Sequence, residues 1–183
     1  MKNNKVLTGA YELASTVVSS VLIMCIIFTF FFKVSTVNGQ SMENTLYEGD
    51  QLIISAFSKD VKYGDVVIIS QPNVYSKVLI KRVIAVGGQT VEFDYKKGTV
   101  SVDGEVLEEN YIKEEMVISP LINKTYFVPE GKLFVMGDNR NHSADSRDIG
   151  VGMIDEDYII GKVLYRLGDK ELFNSDFKEL QNG

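Results

Sequence analysis

Cysteine is almost absent from this sequence, which has a single one, Cys25, among its 183 residues. One thiol cannot form an intrachain disulfide, a zinc cluster or a redox pair. Proline is scarce as well, and three prolines are too few for a proline-rich linker. The chain is long enough for one domain with a buried core, but too short to favour two ordinary domains.

Positive charge is also in short supply. The sequence has 19 lysines and arginines against 25 acidic residues, for a net charge of −6, and the basic residues are scattered. Nucleic-acid-binding surfaces carry clustered basic residues. We therefore expect no nucleic-acid partner.

One long segment has no charge at all. Residues 13–32 are uncharged and end at Lys33, and about 20 apolar residues in a helix suffice to span the hydrocarbon core of a bilayer. The alternative is a cleavable secretory signal, which has a shorter apolar region followed by a small-x-small site. Here Phe30, Phe31 and Phe32 precede the lysine instead, which favours a retained transmembrane helix.

The lysines around this segment indicate its orientation. Lys2 and Lys5 precede the span and Lys33 follows it, a count that favours a cytoplasmic N-terminus. We expect a single-pass protein of the cell membrane, in contact with the lipid bilayer, whose remaining residues lie outside the cytoplasm. The predicted segments are a short N-terminal tail at 1–12, the transmembrane helix at 13–32, one β-rich domain at 33–168 and a polar C-terminal tail at 169–183.

Beyond Lys33 the sequence is typical of strands, with short β-branched runs separated by Gly, Asp and Asn. Asp103-Gly104 supplies the positive φ angles of a two-residue hairpin turn. No stretch outside the anchor has a clear helical period. We therefore predict a mostly β fold, with strands at 51–57, 65–70, 77–86, 90–93, 99–102, 132–136 and 162–167.

The first candidate for chemistry is Ser41, in the segment VNGQSMENTL at 37–46. Gly39, two residues earlier, can adopt backbone conformations that other residues avoid, and it allows a close approach by another chain. Taken alone, Ser41 is more simply interpreted as an ordinary surface serine in a loop.

The second candidate is Lys81, within the predicted strand KVLIKRVIAV. Side chains alternate along a strand, so one face carries Leu79, Lys81, Val83 and Ala85, and the other carries Ile80, Arg82 and Ile84. A free lysine, with a pKa near ~10.4, cannot accept a proton at neutral pH, but burial can lower that pKa by roughly 3–5 units. A desolvated Lys81 could serve as a base; the alternative is a lysine whose stem packs while its ammonium stays in water.

The third candidate is the polar loop at 136–150, MGDNRNHSADSRDIG. Its aspartates suggest calcium, but Arg140 and Ser143 stand where an EF-hand needs an oxygen ligand and a glycine. We expect no metal and no cofactor. A loop so rich in hydrogen-bonding side chains is more consistent with internal hydrogen bonds that buttress a neighbouring site.

The only histidine, His142, lies in this loop and raises the alternative of a Ser-His-Asp triad, with Asp145 to orient the imidazole. The sequence has no G-x-S-x-G elbow. A Ser-Lys dyad does not need a histidine. The residues alone thus favour the dyad without excluding the triad.

Together, the three segments resemble the bacterial type I signal peptidases, serine proteases that remove signal peptides from exported proteins. SMENTL is similar to the family pattern S-M-x-P-T-L, KRVIAVGG is similar to K-R-x-x-A/G-x-x-G, and residues 137–147 match G-D-N-R-x-x-S-x-D-S-R in full. The segment YGDVV at 63–67 also looks like the family. The chain resembles the compact members, which lack a large inserted β domain.

The resemblance implies that Ser41 is the nucleophile and Lys81 the general base. It further implies that Ser143 hydrogen-bonds and orients the Lys81 amine, while Asp145 and Arg147 brace the loop. The substrates would be preproteins cut at small-x-small sites. Plausible lining residues of the substrate pocket are Met42 and Ile80.

Two positions depart from the family pattern. Asn44 stands where proline is usual, and Gly39 stands where some members have a serine that helps to bind the oxyanion. The Ser41 backbone N–H remains the expected oxyanion donor. A catalytically inactive, membrane-tethered β domain is therefore kept as an alternative, as is the self-cleaving Ser-Lys repressor class, whose members are soluble.

Overall fold

A computed structural model of the chain describes residues 2–56, 60–116 and 124–167. The tail predicted at 169–183 lies outside the described residues. One N-terminal apolar helix precedes a β domain, which confirms the predicted mostly β fold. The elements are α1 (Lys2–Phe31), β1 (Phe32–Thr36), β2 (Gln51–Ser55), β3 (Val66–Ile69), β4 (Leu79–Ala85), β5 (Thr90–Asp94), β6 (Thr99–Val102), β7 (Glu105–Val106), β8 (Lys124–Phe127), β9 (Lys132–Met136), β10 (Ile154–Asp155), a 3₁₀ turn (Glu156–Tyr158) and β11 (Ile159–Leu167).

Helix α1 contains a segment, Thr8–Phe31, that is long and apolar enough to cross a membrane. Most of its large apolar side chains, such as Leu22 and Ile26, are more than half exposed. The helix begins at Lys2 and so extends through residues assigned above to a tail, while Phe32 already belongs to β1. A helix begins where its backbone hydrogen bonds begin, and apolar composition marks only the part suited to lipid.

The strands form two antiparallel sheets. The larger sheet has the order β1-β2-β11-β3-β4-β9-β10, and the smaller has the order β7-β6-β5-β8. Strand β1 continues directly from α1 and pairs with β2, with Phe32 opposite Ser55 and Thr36 opposite Gln51. The exit of the helix is therefore fixed to one edge of the larger sheet.

The larger sheet is buried on both faces. Along β3, Val66 and Ile68 belong to one apolar cluster, together with Met42, whereas Val67 and Ile69 belong to another. Alternation in a strand sends successive side chains to opposite faces, so the uninterrupted run VVII fits a strand that is covered on both sides. A third cluster joins the two sheets around Phe93, Phe134 and Ile84.

All seven predicted strands are present. Those at 99–102 and 132–136 have the predicted bounds, and the other five have ends shifted by one to three residues. The largest shift is in the strand predicted at 162–167, which begins at Ile159, and the one predicted at 51–57 ends at Ser55, with residues 57–59 outside the described part. Asp103 and Gly104 have φ angles of +53° and +85°, which confirms the hairpin turn between β6 and β7. Strands β1, β8 and β10 were not predicted. Strand β1 follows the apolar helix without a break in the sequence, and β10 has only two residues.

The predicted alternation along β4 is wrong at its end. The pairing of β4 with β9 shifts register between Val83 and Ala85. Ala85 consequently packs with Ile84 in the cluster between the sheets, instead of with Val83 on the Lys81 face. A bulge adds a residue to one strand and reverses the faces beyond it.

Candidate active site

Ser41 lies in the loop that joins β1 to β2. Met42 and Leu46 are buried beneath this loop, and the Leu46 N–H donates to the Met42 carbonyl at 2.8 Å. Gly39 has a φ of +95°, a left-handed conformation that favours glycine. The loop is thus anchored by its apolar side chains, which leaves Ser41 half-buried and accessible.

Lys81 reaches Ser41 from the middle of β4. Lys81 is only 2% exposed. Its Nζ donates to Ser41 Oγ at 2.6 Å and to the Ile80 carbonyl at 3.1 Å. Pairing with Val67 of β3 fixes the strand position of Lys81. The structure therefore brings together the two residues that the sequence singled out, 40 positions apart.

Burial lowers the pKa of Lys81 to about 8, because the charged ammonium loses its hydration. The carboxylates of Asp145 and Asp138 act against this shift, and the Arg147 guanidinium adds to it. With such a pKa, roughly a tenth of the amine is uncharged at pH 7, whereas a free lysine has only about one part in a few thousand uncharged. Lys81 is thus able to accept a proton.

The loop after β9 is fixed by Asp145, which is fully buried. Its carboxylate accepts hydrogen bonds from the Gly137 N–H at 3.0 Å and from Arg147 Nε and Nη2 at 2.8 Å each. Arg147 Nη2 also donates to the Arg140 carbonyl at 2.7 Å. These contacts tie the two ends of the loop to its middle.

The predicted hydrogen bond between Ser143 and Lys81 is not formed. Ser143 Oγ is buried without a hydrogen-bond partner, and the Lys81 amine donates instead to Ser41 and the Ile80 carbonyl. Ser143 Oγ lies against the Cα of Gly137, where any side chain would overlap both it and the Ser41 carbonyl. Packing against this glycine has decided the position of the hydroxyl, which a sequence motif does not encode.

Asn139 connects the same loop to the nucleophile. Its backbone N–H donates to the Ser41 carbonyl at 3.0 Å, and its Nδ2 donates to the Gln40 carbonyl at 3.1 Å. Two consecutive carbonyls of the Ser41 segment are therefore held by one residue. The sequence predicted that this loop would buttress a neighbouring site, but did not identify Asn139.

The sequence did not predict a buried ion pair between Arg82 and Asp138. Arg82 donates from Nε and Nη2 to the two oxygens of Asp138, at 2.9 and 2.7 Å, and its guanidinium lies 4.1 Å from the centre of the Tyr111 ring. Thr45 Oγ1 donates to the same carboxylate at 2.5 Å. The pair links β4 to the loops that hold Ser41. The sequence did contain a signal for this pair. Arg82 follows Lys81 in a strand that is buried on both faces, and a buried arginine requires a carboxylate partner.

His142 does not complete a triad. Its side chain is 61% exposed, and its Nδ1 lies 3.8 Å from Glu114 Oε1. Asp145, which a triad would use to orient the imidazole, is occupied by Arg147 and the Gly137 N–H. The arrangement favours the dyad.

The aspartates of this loop are also committed to other groups. Within the described ranges, no cluster of three His, Cys, Asp or Glu side chains is arranged to hold a metal ion. Asp138, Asp145 and Asp148 accept hydrogen bonds from Arg82, Arg147 and Tyr75 respectively.

A groove of about 540 Å³ runs past the two residues. Residues 35–42 form one wall, and Tyr75 with residues 77–81 forms the other. Both predicted pocket residues, Met42 and Ile80, line it. Ser41 and Lys81 are themselves among the lining residues, so a chain bound in the groove would lie beside the nucleophile.

Comparison with known proteins agrees with this architecture. Residues 10–167 match the family described as signal peptidase, peptidase S26. The chain is 36% identical over 172 residues to signal peptidase I T of Bacillus subtilis (strain 168), covering 87% of this chain and 86% of that protein. It is 33% identical over 174 residues to signal peptidase IB of Staphylococcus aureus (strain Mu50 / ATCC 700699), covering 85% and 88%.

A crystal structure of a signal peptidase I from Enterococcus faecalis V583 is 26% identical, with a TM-score of 0.46, over 56% of this chain and 96% of that one. The family match spans most of the chain, and the two relatives exceed 30% identity over nearly their whole lengths. This chain belongs to the signal peptidase family, peptidase S26.

Proposed function

We propose that this chain is a membrane-bound serine endopeptidase that cleaves signal peptides from exported preproteins, with Ser41 as nucleophile and Lys81 as general base. The 2.6 Å contact between Lys81 Nζ and Ser41 Oγ carries the proposal, because a base must lie within hydrogen-bond reach of the proton it removes. The pKa of Lys81, lowered to about 8 by burial, supports it further.

In the acylation step, uncharged Lys81 takes the proton from Ser41 as Oγ attacks the scissile carbonyl carbon. The Ser41 backbone N–H, two residues after Gly39, donates to the oxyanion that forms. The protonated lysine then gives its proton to the departing amine as the C–N bond breaks. The mature protein leaves, and the signal peptide stays on Ser41 as an ester.

In the deacylation step, a water replaces the departed amine next to Lys81. The lysine takes one proton from that water, and the oxygen attacks the ester carbonyl. The C–O bond to Ser41 breaks, and the proton returns from Lys81 to Ser41 Oγ. The signal peptide leaves with a new carboxyl group, which releases the second proton of the water to solvent, and both residues recover their starting states.

The loop after β9 supports this chemistry. Asp145 and Arg147 hold its fold, and their opposite charges act on the pKa of Lys81 in opposite directions. Ser143 contributes by packing against Gly137, which keeps the loop close to the Ser41 carbonyl. All three are positioning residues in this scheme.

The groove accounts for a preference for small side chains. Met42 is almost completely buried and Ile80 half-buried where they line the groove. Side chains packed this tightly leave little room next to Ser41. We assign small-x-small selectivity to these two residues.

The helix places this site at a membrane. Thr8–Phe31 is long and apolar enough to cross a bilayer, and only nine residues separate Phe31 from Ser41, which supports a site held close to the membrane. Cleavage sites emerge on the trans side of the membrane, so the N-terminus lies in the cytoplasm and the β domain outside. A reporter enzyme fused after Gly183 should be active only outside the cytoplasm, and a cytoplasmic signal would contradict the orientation.

The catalytic assignment is tested by processing of a preprotein with the full chain in detergent micelles. Ser41→Ala and Lys81→Met should each lower kcat/KM by at least about a thousandfold, as expected for a nucleophile and its base. Matched controls are Ser101→Ala and Lys97→Met, both in or next to the smaller sheet, and both should keep wild-type activity.

The alternatives give different results. Wild-type protein that cleaves no preprotein would support a catalytically inactive, membrane-tethered domain. Loss of activity in His142→Ala with retention in Lys81→Met would support the triad instead.

A further inference from the structure

The connector between β3 and β4, residues 70–78, is an ordered strap. At its start, Gln71 Nε2 donates to the Met153 carbonyl at 3.1 Å. In its middle, Asn73 accepts from the Tyr75 N–H at 3.0 Å and donates to the Lys77 carbonyl at 2.7 Å. The strap therefore has a defined shape of its own.

Two hydrogen bonds latch the strap to the loop after β9. Tyr75 Oη donates to Asp148 Oδ2 at 2.5 Å, and the Val74 N–H donates to the Gly150 carbonyl at 3.2 Å. The Gly150 N–H in turn donates to Asp148 Oδ1 at 2.7 Å. The hydrogen bond from Tyr75 lowers the pKa of the Asp148 carboxyl, so the acceptor is ionised at neutral pH. Val74 lies directly on Gly150, where a side chain would overlap it.

The latched strap forms part of the wall of the groove. Tyr75, Lys77 and Val78 line it, across from residues 35–42. Lys77 precedes Lys81 by four residues, and an extended chain advances by about 3.3 Å per residue. The Lys77 backbone therefore lies within about 13 Å of the Lys81 backbone, so this part of the wall lies beside substrate residues on one side of the scissile bond and not at the bond itself.

We propose that Tyr75 is a positioning residue for substrate, because its bond to Asp148 holds the 70–78 strap as the wall for the remote part of the substrate chain. The proposal rests on the proposed function and adds a determinant of substrate affinity to it. Because the wall is already ordered in the free protein, substrate binding loses less conformational entropy. Removing the latch should weaken binding of long substrates without slowing the chemistry at Ser41.

The test compares Tyr75→Phe, which removes only the hydroxyl, with wild type. The matched control is Tyr158→Phe, since Tyr158 is exposed to a similar degree, 42% against 44%, and lies outside the groove lining. Two peptide substrates with the same cleavage site are used. The short peptide ends a few residues from the site on each side, and the long peptide extends further. For the long peptide, Tyr75→Phe should raise KM about three- to tenfold with kcat within twofold. The short peptide should show no change.

A measurement without substrate tests the latch itself. Hydrogen–deuterium exchange should be about tenfold faster at the Val74 amide in Tyr75→Phe, and unchanged in Tyr158→Phe. Equal exchange in wild type and Tyr75→Phe would overturn the latch. A KM unchanged for the long peptide, or raised equally for both peptides, would overturn the positioning role alone. Wild-type cleavage that does not depend on Ser41 would instead overturn the proposed function, and the positioning role with it.

Discussion

Lys81 and Lys162 are both almost fully buried, at 2% and 1% exposure, but their surroundings differ. Lys162 Nζ in β11 lies 2.8 Å from the carboxylate of Asp65, which is equally buried. Among the residues that the structure describes, Lys81 Nζ in β4 donates hydrogen bonds to the Ser41 hydroxyl and the Ile80 carbonyl, and to no carboxylate. One lysine is half of an ion pair, whereas the other meets two uncharged oxygens.

This difference shows that burial alone does not make a base. Desolvation disfavours the charged form of any buried lysine, and a carboxylate in contact restores it. At Lys81 the carboxylates of Asp145 and Asp138 act only through space, and the pKa still falls to about 8. The site obtains its base by keeping carboxylates close but out of contact.

Breaking the ion pair should have the largest effect on stability. Lys162→Met leaves Asp65 charged and buried without its partner, and should lower the free energy of unfolding by about 3–5 kcal/mol. Urea unfolding of the full chain in detergent micelles measures the change. Adding Asp65→Asn, which retains an acceptor for the Lys62 N–H, should recover most of the loss. A Lys162→Met protein as stable as wild type would show that the contact is not an ion pair.

Removing the other buried lysine should have the opposite sign. Lys81→Met deletes a desolvated ammonium that has no contacting carboxylate, so at pH 7 the free energy of unfolding should rise by roughly 1–3 kcal/mol. This gain in unfolding free energy should shrink as the pH rises from about 8, the pKa of Lys81 in the folded protein, towards ~10.4, the pKa of a lysine in the unfolded chain. In that range the folded protein has already lost the proton that the unfolded chain still holds. The same unfolding measurement at pH 7 and pH 10 tests both statements, and a loss of stability at pH 7 would contradict them.

The pH dependence of cleavage gives the finest test of the comparison. The uncharged fraction of Lys81 falls about tenfold for each pH unit below its pKa, so kcat/KM should rise about tenfold per unit up to about 8 and then level off. Initial rates on a peptide without titratable groups measure this. A profile that stays flat between pH 6 and 8 would remove Lys81 as the base. Lys162→Met should leave the midpoint unchanged.

Most of the fold could be predicted from local patterns. The β-branched runs located all seven predicted strands, because a pleated, half-buried surface selects such residues. Asp103-Gly104 located the hairpin because the turn requires positive φ angles. The bulge between Val83 and Ala85 could not be predicted, because it depends on the register with β9, some 50 residues later.

The site was predictable in part. Motifs singled out Ser41 and Lys81, and the tertiary structure brings their side chains together. The prediction that Ser143 hydrogen-bonds Lys81 was wrong, because packing against Gly137 sets the rotamer of Ser143. The role of Asn139 was missed, since the segment it holds lies about 100 residues earlier in the chain.

The sequence by itself determined the apolar anchor, the positions of the strands and the residue types available for catalysis, because each follows from local composition and period. Motifs singled out Lys81, but the strand pattern alone does not distinguish it from Lys162, since both lie within β-branched runs. Only the tertiary structure decided that Lys162 meets a carboxylate and Lys81 a hydroxyl. Strand pairing and loop packing place those partners from distant parts of the chain, and the partner sets the charge that a buried amine can hold.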